Sequence, residues 1–440
     1  MIPTCSDFDQ QTLSRLLDSD PVVSRYRALF ACLDFRVIPE PVFDVSRPGR
    51  RSHPESAYVK ALLIKVCEHF DSCTQLRRFL LEHPLLVLEL GFRAKWTPNG
   101  PYGLDVERMV PCDRWLRHKQ QTMDPVMLHA LFVSSVHALQ AAIPGLGESV
   151  AVDVKHLYAW VQENNPRAYV KERYNPEHHP CGDRDCRLGV KRSTNQEQPD
   201  GSTKEKKEYV WGYGSGIVSA ILPKYGDLIL AEYTQPFNEN DVTYYHPLYQ
   251  QVVATLGFRP RYVTADAAFD DWDIYQTCAE QGGIAAIPLN ARGHALPNRE
   301  ADGTPRCERG LRMVASYQFD HTNGYRAQRF RCPLLYPEST GQTCQNAQFL
   351  KEKGCVKDIN IEAGGLQRVL LDRTSPTYKT LYRQRTSAER INSQAKSLGI
   401  ERPKVRNGRS VANLNTLTYI IINAKALQRA HAVNLVYRRC

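Results

Sequence analysis

The chain has 440 residues, 42% of them hydrophobic, and carries a net charge of +10. That length buries one large core and a smaller one, so two domains are expected. The composition excludes a fibrous or wholly disordered chain, and the positive balance suits a polyanionic partner without requiring one.

The N-terminus, MIPTCSDFDQ, has neither the basic start nor the apolar stretch of a secretory signal, and no apolar run reads as long enough to span a bilayer. A soluble, cytoplasmic protein is therefore expected. Thirteen cysteines, an odd number scattered from Cys5 to Cys440, read as reduced thiols rather than a disulfide framework.

Residues up to about 145 read as mostly helical. The segment 54–70 places Tyr58, Leu62, Val66 and His69 at helical spacing. Ser72 then caps a second helix, CTQLRRFLLEH, halted by Pro84. CDRWLRHKQQ is a third helix, and Asp124-Pro125 opens a fourth. Arg77, Arg78, Arg114, Arg117 and Lys119 on these helices fit either a helix-turn-helix-like DNA reader or a helical cap with a solvated basic face.

From Ser149 the pattern turns to strands: ESVAVDVKHL, YVWGYGSGIVSAIL and DLILAEYTQP in succession. A helix follows Asn240, then a fourth strand in PRYVTADAAF, a helix over 271–280 and a fifth strand, IAAIPL. Three consecutive strands followed by alternating helix and strand predict an α/β domain with a mixed sheet. Two polar stretches interrupt it: 161–208, read as loop, and 290–365, with short strand candidates and four cysteines. The expected division is a helical domain over 1–145, a first part of the α/β domain over 146–289, a β-rich insertion over 290–365 and a second part over 366–440. That last part is expected to hold a strand, LQRVLL, a long helix and a final apolar helix over 412–430.

The long helix runs from the cap Ser375-Pro376 to the stop at Gly399. At about 100° per residue, Tyr382, Arg385, Glu389 and Lys396 fall within roughly 60° of one another. Leu381, Ala388, Ile391, Ala395 and Leu398 form an adjacent apolar stripe. A carboxylate flanked by a tyrosine, an arginine and a lysine suits a site that holds a divalent cation and grips phosphates beside it. Taken alone, Glu389 also fits a plain helical ion pair with Arg385.

The spacing Tyr-(2)-Arg-(3)-Glu-(6)-Lys resembles the signature of bacterial insertion-sequence transposases of the DDE type, whose catalytic domain is ribonuclease-H-like. Asp153 in AVDVKHL and Asp266 in VTADAAFDD stand where that family places its two aspartates, on the first strand and just after the fourth. The resemblance spans roughly residues 50 to 430, with 161–208 unmatched. It implies a mixed five-stranded sheet with a β-rich insertion, preceded by a helical domain.

It also implies a catalytic and metal-binding set of Asp153, Asp266 and Glu389 that holds two Mg²⁺ or Mn²⁺ ions. The expected activity is cleavage at transposon ends followed by transfer of the freed 3′-hydroxyl into target DNA. The partners are double-stranded DNA and a second copy of the chain, working at the bacterial nucleoid. Arg385 and Lys396 would contact end phosphates, and Tyr382 the same backbone.

The residues keep other readings open. Asp153 fits a strand-end cap, Asp270, Asp271 and Asp273 compete with Asp266, and the whole fits a nuclease without strand transfer or a non-catalytic DNA-binding protein. Arg390, Arg402 and Lys404 belong to a basic run suited to phosphate tracking. His179, Cys181 and Cys186, or Cys307, Cys332, Cys344 and Cys355, are candidate ligands for a structural zinc, although neither group has paired C-x₂-C spacing.

Overall fold

The computed structural model describes residues 10–42, 52–197, 203–222, 224–290 and 298–437. Cys5 and Cys440 lie outside them, and the described cysteines are free thiols. Helices come first: α1 (Gln10–Ser19), α2 (Pro21–Phe30), α3 (Glu55–Cys67), α4 (Cys73–Glu82), α5 (Pro84–Glu89), α6 (Val106–Met109), α7 (Asp113–Thr122) and α8 (Pro125–Ala142). Then follow β1 (Ser149–Tyr158), β2 (Arg187–Glu197), β3 (Thr203–Leu222), β4 (Gly226–Pro236), α9 (Tyr245–Leu256), β5 (Tyr262–Thr264), α10 (Trp272–Ala279) and β6 (Ile284–Ala286). The remainder comprises β7 (Val314–Asp320), β8 (Arg326–Arg331), β9 (Val356–Asn360), α11 (Ala363–Leu370), α12 (Pro376–Tyr382), α13 (Thr386–Ser397) and α14 (Gly408–Tyr437).

The local signals act as expected at several ends. Ser72 and Gln75 form a reciprocal capping box on α4, and Asp124 accepts from the Val126 N–H ahead of α8. Pro84 ends one helix and opens the next as its first residue.

The chain divides into two compact units. The first comprises Met1–Leu146, Val154–Gly257 and Ser387–Cys440. Its centre is α14, apolar all round and therefore buried, with Leu417, Tyr419, Ile420, Ile421 and Leu427 inside. α14 packs on α8, β4, α3 and α7, so the N-terminal helices share a core with the strands rather than standing apart from them. α8 reaches the length and apolarity of a membrane span, contrary to the expectation of no such run. Its Leu128, Leu131, Phe132, Val136 and Leu139 are nevertheless buried, and it serves as a core helix against α14. β3 is a long antiparallel partner, its first half to β2 and its second to β4.

The second unit comprises Gly147–Asp153 and Phe258–Thr386. Here the first residues of β1 pair in parallel with β5, and β5 with β6. α12 covers this sheet, burying Tyr378 and Leu381 against Ala286, with Tyr262 and Tyr382 partly buried beside them. β7, β8 and β9 form a separate antiparallel sheet, the β-rich stretch expected between 290 and 365.

Three expectations are corrected. The 161–208 stretch is not all loop: β2 and the start of β3 form a hairpin in it, held by cross-strand pairs such as Lys191 opposite Glu208 and Val190 opposite Tyr209. LQRVLL is not a strand but most of α11. That helix lies so tightly on α10 that a Cβ on Gly364 would sit 2.2 Å from the Gln276 nitrogen. Gln367 on α11 also accepts from the Ala285 N–H and donates to the Gly283 carbonyl, occupying the edge where a further strand would pair.

Nor is the long helix unbroken: a 3₁₀ turn over Arg383–Arg385 separates α12 from α13. There the Thr386 hydroxyl donates to the Arg383 carbonyl at 2.8 Å, and the Gln384 side chain is engaged by Ser149 Oγ. The angle of 100° per residue therefore holds only within each segment.

Candidate active site

Asp153 and Asp266 both lie in the second unit. The last registered pair between β1 and β5 is Ala151 with Thr264, and each aspartate sits two residues beyond its member of that pair. Asp266 keeps extended backbone (φ −79°, ψ 178°). A two-residue step along extended backbone preserves the face, so Asp153, within β1, and Asp266, just past β5, follow the same registered pair at the point where the parallel pairing ends. Both are half-buried.

Asp266 is also the cap of a short 3₁₀ turn, its Oδ1 accepting from the Ala268 N–H at 2.9 Å. The cap reading and the ligand reading are therefore compatible at this residue. The neighbouring acids have structural duties. Asp271 caps α10 through the Asp273 N–H. Asp270 is buried and held by both arms of the Arg368 guanidinium, by the Tyr275 hydroxyl and by the Asn290 N–H. Burial pushes the Asp270 carboxyl up, but these partners outweigh it and hold it below the ordinary range.

On α12 the Tyr378 and Tyr382 rings stack at 5.7 Å, and the Arg385 guanidinium lies over Tyr382 at 5.7 Å. Tyr382 is thus partly a core residue of the second unit, with its exposed portion beneath a cation.

Glu389 and Lys396 are on α13, in the first unit. The apolar stripe behaves as expected there: Ala388, Ile391 and Ala395 are fully buried, whereas Glu389 and Lys396 are exposed. Lys396 pairs with Glu401 at 2.9 Å, and Lys155 approaches the same carboxylate at 3.5 Å. Burial raises the Glu401 carboxyl, yet the Lys396 hydrogen bond and the charges of Lys155 and Lys191 outweigh it and keep it low.

The basic run is less free than its density suggests. Arg390 grips Asp227 bidentately at 2.8 and 2.7 Å. Lys404 pairs with Asp71 at 2.7 Å, and Arg409 donates to the Thr122 and Met123 carbonyls at the end of α7. Of the run Arg390, Lys396, Arg402, Lys404, Arg406 and Arg409, Arg402 and Arg406 alone have neither a carboxylate nor a carbonyl partner among the described residues. They lie instead over aromatic rings, Arg402 on Tyr158 at 4.2 Å and Arg406 on Trp160 at 4.9 Å. Tyr158 and Trp160 are invisible to sequence patterns, since one aromatic at the end of a strand and another just past it carry no pattern of their own. In the N-terminal helices, Arg77 pairs with Glu107, Arg117 with Asp113 and Lys119 with Glu55.

The family described as Transposase DDE domain matches residues 188–424, more than half of the chain. The chain belongs to this family. Asp266 and Glu389 fall inside the matched span of the transposase domain, and Asp153 precedes it. Among solved structures, the chain is similar to a cryo-EM structure of the piggyBac transposase synaptic complex with hairpin DNA, at 11% identity and a TM-score of 0.32, covering 98% of this chain and 79% of that one. That likeness is too slight to bear on the fold. No curated protein matches.

The donor chemistry of the transposase domain fits a hard divalent cation, since paired carboxylates offer only oxygen. Among the described residues, no three His, Cys, Asp or Glu side chains are gathered closely enough to hold an ion. The cysteines do not assemble a zinc site there. The Cys186 thiol is buried and donates to the Asp183 carbonyl at 3.2 Å. Cys355 hydrogen-bonds to Cys332, and burial pushes its thiol up to about 11.

Proposed function

We propose that this member of the family is a DNA transposase with a ribonuclease-H-like catalytic domain, cutting the ends of its own element and joining the freed 3′-hydroxyl to target DNA. The observation that carries the reading is that Asp153 and Asp266 each lie two residues past the last registered pair of the parallel strands β1 and β5, while the competing acids Asp270 and Asp271 are committed to structural partners. The antiparallel trio β2, β3 and β4 and the parallel pairing of β1, β5 and β6 also support it.

Asp153, Asp266 and Glu389 are the residues assigned to hold Mg²⁺ or Mn²⁺. Ions held there would supply Lewis-acid stabilisation to an in-line displacement at phosphorus. The protein's own part is to orient. The Ala268 N–H fixes the Asp266 carboxylate, β1 fixes Asp153, and the buried stripe of α13 turns Glu389 outward. Arg385, Lys396, Arg402 and Lys404 would hold the phosphates, and a homodimer would bring two ends together.

The test is a cleavage and strand-transfer assay on DNA flanking the coding region, with Mg²⁺, a target plasmid and the Glu389→Gln variant. Joined product from the native chain and none from the variant, with DNA binding retained, is the expected result. Cleavage without joining would reduce the activity to that of a nuclease, and binding without cleavage would leave a non-catalytic binder. Cleavage by the variant would overturn the assignment of Glu389.

A further inference from the structure

Within the first unit, a cavity of about 420 Å³ is lined by the N-terminal helices and by the segment after α13. Four cations face it: Lys65, Arg117, Lys404 and Arg406. One acid, Asp71, lines it too and is paired with Lys404. Arg117 leans on Asp113 at 3.6 Å, while Lys65 and Arg406 have no ion pair among the described residues. The cavity wall therefore carries a surplus of positive charge that the protein itself does not neutralise.

A second observation points to a ligand. Gln120, 4% exposed, also lines this cavity. Its Oε1 accepts from the Cys73 Sγ–H at 3.4 Å, which orients the amide, and its Nε2 is buried with no partner. A buried donor left unpaired costs about 1–3 kcal/mol, so native proteins rarely keep one without a use. Lys65 repeats the theme: it is 7% exposed, and burial pushes its ammonium down, with Lys404 lowering it further. An anion inside the cavity would offset that penalty.

A neighbouring cavity of about 300 Å³ shares Trp160 and Lys404 and adds Tyr158, Asn165 and Arg402. Trp160, 50% exposed, separates the two with Arg406 over its ring. A donor-lined hollow beside an exposed aromatic platform and two ring-stacked arginines is the chemistry of a nucleic-acid strand, with phosphate held by donors and the adjoining sugar and base against π-faces.

We propose that the Lys65–Gln120–Arg406 cavity of the first unit is a phosphate-binding site that takes one backbone phosphate of the DNA substrate. The proposal rests on the reading that DNA is the substrate. Gln120 Nε2 and Lys65 Nζ donate from within, and Arg406 closes the site from the Trp160 side. The site ties the N-terminal helices to the same strand that the rest of the first unit follows.

The test compares the full chain with Gln120→Glu, which places an internal carboxylate where the phosphate belongs, and with Lys65→Met, which keeps the aliphatic stem. Thermal melting is followed in millimolar inorganic phosphate against chloride of equal ionic strength. Binding of a duplex of about 30 base pairs is followed across salt concentrations. Phosphate should raise the melting midpoint of the native chain and not of either variant, and the slope of log K against log salt should fall by about one unit in both.

Gln120→Glu should melt close to the native chain, because its carboxylate replaces an amide of the same size on a wall with surplus positive charge. Glu389→Gln should keep the native phosphate response and salt slope, so cleavage and this site fail independently. A phosphate response with an unchanged duplex slope would overturn the assignment to DNA and leave a free-phosphate site. Variants indistinguishable from the native chain in both assays would overturn the site itself.

Discussion

Asp270 and Arg368 face each other through two parallel hydrogen bonds of 2.7 and 2.6 Å, with the carboxylate wholly buried. Removing one member of such a pair leaves an uncompensated charge inside the protein, at a cost of about 3–5 kcal/mol. Asp270→Asn should therefore lower the urea midpoint sharply. Asp266→Asn should hardly change it, because asparagine caps as well as aspartate, yet it should lose cleavage. Equal stability losses in the two variants would contradict the division of labour between these acids. Because the folded carboxyl of Asp270 lies below its ordinary range, its contribution is present above the unfolded pKa and is lost as pH falls through the acid range.

Glu232 titrates in the opposite sense. It is buried, and desolvation pushes its carboxyl up to about 7. The Thr416 hydroxyl has one proton but two acceptors, Glu232 Oε1 at 2.7 Å and the Ala412 carbonyl at 3.0 Å. A protonated Glu232 donating to Thr416 satisfies all three groups. The unfolded chain releases this proton near pH 4.5 and the folded one near 7, so stability should fall as pH rises between them, by about 3 kcal/mol, and level off above. Glu232→Gln should remove most of that slope in chemical melts taken from pH 5 to about 8. An unchanged pH profile would show that Glu232 is not its source.

The Asn423 side chain accepts from the Ile229 N–H at 3.0 Å and donates to the Ile229 carbonyl at 2.9 Å. Ile229 adjoins the register shift between β3 and β4, where strand pairing is irregular. Asn423→Leu would orphan a buried donor and a buried acceptor at about 1–3 kcal/mol each. Unfolding measurements should show a loss of at least about 2 kcal/mol, and amide exchange at Ile229 should accelerate.

Arg390 and Arg402, read alike in the sequence, should behave differently. Arg402→Ala is expected to reduce the salt slope of duplex binding by about one and to leave the fold intact. Arg390→Met strands Asp227, so its main effect should be on stability, by about 1–3 kcal/mol. A salt-slope loss from Arg390→Met with unchanged melting would reverse that assignment.

Much of this was legible in the residues because short-range patterns carried it. The alternation around Asp153, the cap at Ser72 and the apolar stripe of α13 are local, and local rules found them. What escaped depended on partners distant in sequence. The run of charged and polar residues from Lys191 to Glu208 shows no apolar alternation, and the β2–β3 hairpin there is defined by strand pairing, so periodicity does not see it. LQRVLL looks like a strand until Gly364 meets Gln276. The basic run reads as free charge until Asp227, Glu401 and Asp71 claim three of its members. The Tyr382 to Lys396 arc assumed a regular helix, which the 3₁₀ turn interrupts.

The placement of α14 also bears on how the chain is made. The faces of α3, α8 and β4 that it covers are translated well before it, separated from residues 408–437 by between about 170 and 350 positions. Until that segment has left the ribosome, the apolar surfaces of the largest core have no partner. Closure over such separations is slow, and the waiting surfaces are prone to aggregate. A chain arrested before residue 408 should be held by chaperones or degraded rather than persist as a shorter folded protein.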